Sequence, residues 1–526
     1  MNLARIAVLG GGPGGLYAAR LLKLRHPAAD VTVYEQSSPD TTFGFGVGLA
    51  SRTQRNLRDA DAASLEAIVA AAYSHEMSMQ VGADVVRIAH GDLLAIARTQ
   101  LLAILQDQAQ RAGVTLVFGE RHVAADLDAD LVIAADGINS ATRESDPRFG
   151  AHLTTGAGLY LWCGTDFALP SAIFVPSTTE HGTFVAHAYP YSADRSTFLI
   201  ETDEATWRRA GFDVSTAETD QAGSDLTSLR YLQSAFAETL DGHGLIGNRT
   251  RWMQFRTVRC NRWSVDNVVL LGDAAHTAHY SIGSGTKLAM EDAIALDAAL
   301  WDSDSIADAL ARYERTRRPA VDHLQQIARR SELWWESFPQ RMDLPVDRLM
   351  VSYMTRSGKV GLDRFLDSAP EVAWAGVTSY AGVADDRARP DDVEQWVLAQ
   401  PLEHPQGSYS ARLAPADLRD GPATVVHHVD TDSAWDEAAD ALVAAARGDA
   451  VVWLTGVSDR DAVLTRLDIA ERVVRDTDAL VVVEVPSNCL ADAAAGLVSG
   501  RTHLVATPER ADAETERGAP AVASSV

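Results

Sequence analysis

Gly10, Gly12 and Gly15 stand as G-x-G-x-x-G between a short apolar run, residues 6–9, and a stretch that sets Leu16, Ala19 and Leu22 on one helical face. A glycine turn that closes a buried strand and opens a helix lets a pyrophosphate approach bare backbone and meet the positive end of the helix. The next run, Asp30-Val-Thr-Val-Tyr-Glu35, alternates as a second strand and ends on a carboxylate 20 residues beyond Gly15. At that place a carboxylate accepts hydrogen bonds from an adenosine ribose. An ordinary strand-to-helix turn is the alternative for the glycines taken alone. With Glu35 the pattern is that of a βαβ unit opening a dinucleotide-binding α/β domain.

With 526 residues the chain exceeds one core, so two or three domains are expected. Its net charge of -26 repels nucleic acid and anionic membrane surfaces, and neither is expected as a partner. Cys163, Cys260 and Cys489 lie too far apart for a metal knuckle or a redox CxxC pair. A reducing cytoplasm and no metal are the expectation. There is no run of about 18 apolar residues to span a membrane. The apolar start of the chain reads as strand and turn rather than as a signal peptide.

Further along, β-type runs at 158–162, 183–187 and 196–200 predict a separate sheet. A buried-strand signal returns at 267–271, and charged helices follow, including 305–332. Prolines 390, 401, 405, 415 and 422 thin regular structure, after which short apolar strands alternate with helical stretches at a β/α spacing.

Two segments narrow the cofactor. Asp130-Leu-Val-Ile-Ala-Ala-Asp-Gly-Ile-Asn-Ser-Ala-Thr-Arg143 carries Asp136 and Gly137, and Leu271-Gly-Asp-Ala-Ala-His-Thr-Ala-His279 carries Gly272 and Asp273. Asp273 also suits a helix N-cap. With Arg98 in Ile96-Ala-Arg-Thr-Gln, the three spaced motifs resemble the single-component FAD-dependent aromatic hydroxylases, the class that includes para-hydroxybenzoate hydroxylase. The resemblance implies Gly10, Gly12, Gly15, Glu35, Arg98, Asp136, Gly137, Gly272, Asp273, Gly283 and Gly285 as FAD contacts, with Asp273 on the ribityl chain. It implies NADH or NADPH as a transient reductant, since there is one dinucleotide turn, and O2 captured as a flavin C4a-hydroperoxide for transfer to an electron-rich ring.

Within the class, Thr42-Phe-Gly-Phe-Gly-Val47, His187-Ala-Tyr-Pro-Tyr191 and residues 279–292 are similar to the branch of salicyloyl-CoA 5-hydroxylase and the monooxygenase part of anthraniloyl-CoA monooxygenase, over residues 1–370. An aromatic small molecule, CoA-linked in this reading, is the implied partner beside O2, and a homo-oligomer stays open. His187, Tyr189, His279 and Tyr280 are the candidates to orient or deprotonate the ring; each also suits a buried histidine or a packing tyrosine. His279 and Tyr280 replace the two prolines of para-hydroxybenzoate hydroxylase, which argues against a simple benzoate substrate. Lys287 adds a cation near the Gly283-Ser-Gly285 loop, or is a solvated helix residue. Arginines 249, 251, 256, 259 and 262, and 317, 318, 329 and 330, would meet CoA phosphates or form solvated faces.

The expected fold is therefore α/β. A Rossmann-like FAD-binding domain takes 1–158 and 259–370, with a helical extension over 300–370, and an inserted β-sheet substrate domain takes 159–258. A linker follows over 371–422, then a C-terminal β/α segment over 423–510 resembling a partial Old Yellow Enzyme-type barrel, then a flexible tail over 511–526. Fewer than about 160 residues remain after 370, too few to close a barrel that needs about 250. The rival functions are an FAD monooxygenase of a free phenolic or tropone-type ring and a non-catalytic flavin-binding protein. A halogenase lacks its Trp-x-Trp-x-Ile-Pro segment here, and a disulfide reductase its cysteine pair.

Overall fold

The computed structural model describes residues 3–507 except 43, 50, 90–92, 221 and 385, and the backbone alone of 51 and 52. The proposed tail 511–526 and Phe43 of the 42–47 motif lie outside the described residues. Among the described residues two compact units result, 3–80 with 87–336 and 81–86 with 337–507.

The first unit is built on a sheet whose strands run Ser264–Val265, Val268–Leu270, Leu131–Ala134, Arg5–Leu9, Asp30–Glu35 and Thr115–Phe118 across its width. All neighbours are parallel except the first pair. Period-two alternation divides its side chains: Ile6, Val8, Val31, Val33, Leu131 and Ile133 join one core, and Ala7, Leu9 and Val132 another. The Pro13–Arg25 helix starts with its proline in the first turn, where no amide hydrogen is needed. The Arg98–Ala112 helix stops at Gly113, whose φ of 96° is the left-handed cap that glycine takes without a Cβ penalty.

The second sheet of this unit is antiparallel through Ala151–Thr165, Arg195–Thr202, Gly182–Ser192 and Ala172–Thr179, with Trp252–Cys260 also on the first strand. It starts at Ala151 rather than 159, because one 15-residue strand runs unbroken through the expected boundary, and Met77–Val81 joins from far upstream. One face of this sheet, with Leu159, Leu161, Cys163, Phe184, Ala186, Ala188, Phe198 and Ile200, packs on Phe212, Leu229, Leu232 and Phe236. Each leucine, isoleucine and phenylalanine among them contributes roughly 1.5–3 kcal/mol by leaving water. Period two therefore commits the intervening residues to the other face.

The second unit begins at Ser337, not at 371. The stretch 371–422 is not a linker: it holds the Pro370–Ala381 and Val393–Leu398 helices and the hairpin of Leu402–His404 with Gly407–Tyr409. Here Pro370 opens a helix instead of breaking one, Gly382 closes it at φ 64°, and Ala373, Trp374 and Val377 are buried. Val346–Thr355 and Leu362–Ser368, expected as a helical extension of the first domain, pack on Leu490–Val498. Thr424–Val429, Val451–Gly456, Leu480–Glu484 and Leu504–Ala506 form a parallel sheet in sequential order with a helix after each of the first three. This sheet is open, its last strand meeting Leu413 by a bridge to Val505. Among the described residues no helix is long and apolar enough to cross a membrane.

Candidate active site

The glycine turn separates into two roles. A Cβ on Gly10, at φ 104°, would stand 2.2 Å from the Ala135 carbonyl oxygen, and one on Gly15 would stand 2.1 Å from the Gly10 oxygen. These glycines let the strand and helix close on each other. Gly12 faces nothing within 4 Å, so its backbone opens onto the cleft.

Glu35 is held at the rim by two amides, Gly11 N–H donating to Oε2 and Ser37 N–H to Oε1, both at 2.8 Å. Gly10, Gly12, Tyr34, Glu35, Asp136 and Gly137 line one cavity of about 240 Å³. Asp136 Oδ2 accepts from the Thr142 amide and hydroxyl, each at 3.1 Å, while its Oδ1 is buried without a protein partner.

Asp273 follows Gly272 on a single 3-10 turn at the end of the Val268–Leu270 strand. Its side chain meets solvent. Surrounding protein nonetheless raises its carboxyl above the ordinary value by desolvation, against the charges of His276 and Arg98. A group both solvent-reachable and enclosed lies in a cleft, and the influence of Arg98 brings the two predicted residues to the same one. Asp292 braces this turn: Oδ2 accepts from the Gly272 amide at 3.1 Å and lies 2.8 Å from His276 Nε2, and Oδ1 accepts from Arg317 Nε at 2.8 Å. Gly283, at φ 59°, and Gly285 both face open space at the start of the Gly285–Trp301 helix.

The polar face of the second sheet follows from its register. Tyr160 pairs with Glu201 and Trp162 with Leu199. Leu199 in turn pairs with His187, and Thr197 with Tyr189. All therefore share the face opposite the apolar core.

Against this face sits Tyr280, whose hydroxyl donates to Glu201 Oε1 at 2.6 Å. His187 Nε2 lies 3.5 Å from the same oxygen, and its ring stands 3.9 Å from that of Trp335. Burial raises the Glu201 carboxyl, but the charges of His187 and His279 and the Tyr280 hydrogen bond together hold it below the usual range. Tyr280 is pushed well above an ordinary phenol, first by burial and then by Glu201. His279, 5% exposed, places Nδ1 2.9 Å from Ser281 Oγ, and its ring lies 4.9 Å from Phe255 and 4.0 Å from Tyr280.

The structure thus gathers His187, His279 and Tyr280 around a carboxylate, Glu201. Tyr189 is committed elsewhere, its hydroxyl donating to the Gly46 carbonyl at 2.9 Å, while the Gly46 amide donates to Thr197. Lys287 lies 3.9 Å from Glu291. The arginines do not form one basic face: Arg256 donates to Asn139, Arg251 to the Thr216 carbonyl, and Arg317, Arg318 and Arg329 pair with acidic neighbours. Glu201 escaped the sequence reading, although a carboxylate one residue past Ile200 breaks the apolar alternation of its strand.

A Rossmann-like sheet with an open glycine turn is a dinucleotide-binding fold, here in one unit with a sheet that has one polar aromatic face. Residues 89–328 match the FAD binding domain family. Salicyloyl-CoA 5-hydroxylase of a Streptomyces species is 40% identical over 67% of this chain and 70% of its own length. A 3-hydroxy-4-methyl-anthranilyl-[aryl-carrier protein] 5-monooxygenase of Streptosporangium sibiricum is 39% identical over 68% of this chain and 95% of its own. The fold is similar to that of 2-methyl-3-hydroxypyridine-5-carboxylic acid oxygenase, at a TM-score of 0.52 and 20% identity, over 70% of this chain and 96% of that one. The chain belongs to the FAD-dependent aromatic monooxygenases. The cleft fits the cofactor: Asp136 Oδ1 is an orphaned acceptor there, and Gly12 and Gly137, which line the same cavity, leave open space beside it.

Proposed function

We propose that this enzyme hydroxylates an aromatic acyl group borne on a carrier, CoA in the first instance, with NADH or NADPH as reductant. The observation that carries the reading is the polar aromatic face of the second sheet, where His187, Glu201 and Tyr280 meet beside the Gly283-Ser-Gly285 loop. The two similar enzymes are named for a salicyloyl group on CoA and a substituted anthranilyl group on an aryl-carrier protein, which supports a carrier-linked ring here.

In this reading the amides at Gly12 and the start of the Pro13–Arg25 helix hold the pyrophosphate of FAD. Glu35 takes the ribose hydroxyls, Asp273 and Arg98 the ribityl and pyrophosphate region, and the Gly283–Gly285 turn borders the ring system. When bound, FAD supplies the activation of O2 and the electrophilic oxygen. The protein dries and orients the ring: Trp162, Tyr160 and Phe255 give it apolar walls, and Tyr280 faces a polar substituent. The open parallel sheet of residues 424–506 is read as part of an Old Yellow Enzyme-type barrel, supported by its sequential strand order.

The test is the purified flavoprotein's oxidation of NADH and NADPH, with O2 uptake, in the presence of salicyloyl-CoA, anthraniloyl-CoA or the free acids. Stimulation with hydroxylated product from a thioester and not from its acid supports the reading. Equal turnover of the free acids overturns the carrier requirement.

A further inference from the structure

Tyrosine has one hydroxyl proton and two lone pairs, so the direction of its donated bond decides what it offers the rest of its surroundings. In Tyr280 that proton is spent on Glu201 Oε1 at 2.6 Å. The bond is reversible in principle, since a protonated carboxyl donates instead. His187 Nε2 lies 3.5 Å from the same oxygen, and the Glu201 carboxyl is held below its ordinary range, which favours the carboxylate. Glu201 is thus an acceptor at neutral pH, and nothing in the mechanism above requires a carboxylate on this strand merely for packing: its neighbours of like parity are Leu199 and Thr197. A buried carboxylate costs several kcal/mol to desolvate unless paired.

We infer that Glu201 is a positioning residue for substrate choice: by taking the Tyr280 proton it leaves Tyr280 presenting only an oxygen lone pair to the bound ring. The ring substituent opposite Tyr280 must then donate, as a hydroxyl or an amino group does and a methyl ether or ketone does not. This rests on the proposed placement of the ring beside Tyr280. It goes beyond it in giving the discrimination to a residue that need not touch the substrate. Loss of the matching hydrogen bond corresponds to about tenfold in affinity.

Two measurements on the flavin-loaded enzyme separate the inference from the reading beneath it. The first needs no ligand. Raman difference spectra of wild type minus Tyr280→Phe report through the tyrosine Fermi doublet whether the Tyr280 hydroxyl donates or accepts. The expected result is a strong donor in the wild type, still a donor in Glu201→Gln, whose amide oxygen remains an acceptor, and loss of the donor signature in Glu201→Leu. A wild-type Tyr280 that is not a donor overturns the inference.

The second compares phenol and aniline with anisole as probes, by perturbation of the flavin spectrum. The wild type should favour the donors about tenfold, Glu201→Gln should keep most of that preference, and Glu201→Leu and Tyr280→Phe should both lose it. Retained preference in Glu201→Leu together with loss in Tyr280→Phe overturns the role of Glu201 alone. An unchanged preference in Tyr280→Phe, or no binding of any probe to the wild type, overturns the placement of the ring and the inference with it. Should Glu201→Leu fail to hold flavin, Glu201→Met supplies the same loss of acceptor with a more adaptable side chain.

Discussion

Substitutions at Gly10 and Gly12 separate folding from cofactor binding within three residues. An alanine at Gly10 takes φ 104°, a region that costs an L-residue about 1–2 kcal/mol. Its Cβ would also stand 2.2 Å from the Ala135 oxygen, an overlap relieved only by moving backbone, at about 1–3 kcal/mol more. The sum, about 2–5 kcal/mol, lowers the melting temperature of the first unit by roughly 4–10 °C at about 2 °C per kcal/mol. Gly12 has φ −73° and faces open space, so Gly12→Val strains nothing in the flavin-free protein. Its side chain instead fills the room through which a pyrophosphate reaches the backbone. A loss of about 3 kcal/mol or more, a hundredfold in Kd, is expected for FAD. Thermal unfolding of the apoproteins, with FAD affinity from fluorescence quenching, gives both numbers. Wild-type FAD affinity in a folded Gly12→Val protein refutes the assignment of the turn to pyrophosphate, and an unshifted melting temperature in Gly10→Ala refutes the steric argument.

The Asp292 carboxyl is raised by burial but lowered more by His276 and Arg317, so its folded value lies below its unfolded one. The stability it adds is complete above the ordinary carboxylate value of about 4 and is lost as pH falls through the lower folded value. Asp292→Ala should cost about 3–5 kcal/mol at neutral pH by leaving the buried Arg317 with only the longer contact to Glu291, and the gap from wild type in melting temperature should shrink in acid. A chain ending after Glu336 should keep FAD in solution, whereas one ending at 370 should aggregate, because Val346–Thr355 and Leu362–Ser368 then lack the Leu490–Val498 helix they pack on; size-exclusion chromatography with flavin absorbance distinguishes them. His279→Ala should leave NAD(P)H oxidation in place but divert it to hydrogen peroxide, with product falling about tenfold to a thousandfold. Unchanged product yield in a stable, flavin-loaded variant refutes the catalytic reading, and loss of flavin points to packing.

What the sequence revealed depended on whether a feature is local or paired across the chain. The glycine turn, Glu35 and the motifs at 136–137 and 272–273 are short patterns whose physical demands fall within a few residues of each other, and the structure sets them on one sheet. Glu201 acquires its meaning only through register: it faces Tyr160 and stands on the side of His187 because three strands within residues 151–202 align without slippage there, and Tyr280 arrives from a further segment. Tyr189 shows the converse, since its spacing from His187 puts both on one face, but the Gly46 backbone claims its hydroxyl. The proline-rich stretch misled for a related reason. Prolines thin regular structure on average, yet the Val393–Leu398 helix fits between Pro390 and Pro401, and Pro405 stands in the turn of the Leu402–His404 and Gly407–Tyr409 hairpin. The division after Glu336 has no compositional mark at all, because the Ile306–Glu336 helix runs 31 residues with Pro319 inside it and ends in the same charged and aromatic texture that continues beyond. Residue identity thus reads most directly where one peptide segment meets a small ligand. It reads least where two distant segments must agree on a register, and in this chain the proposed choice of substrate rests on the second kind.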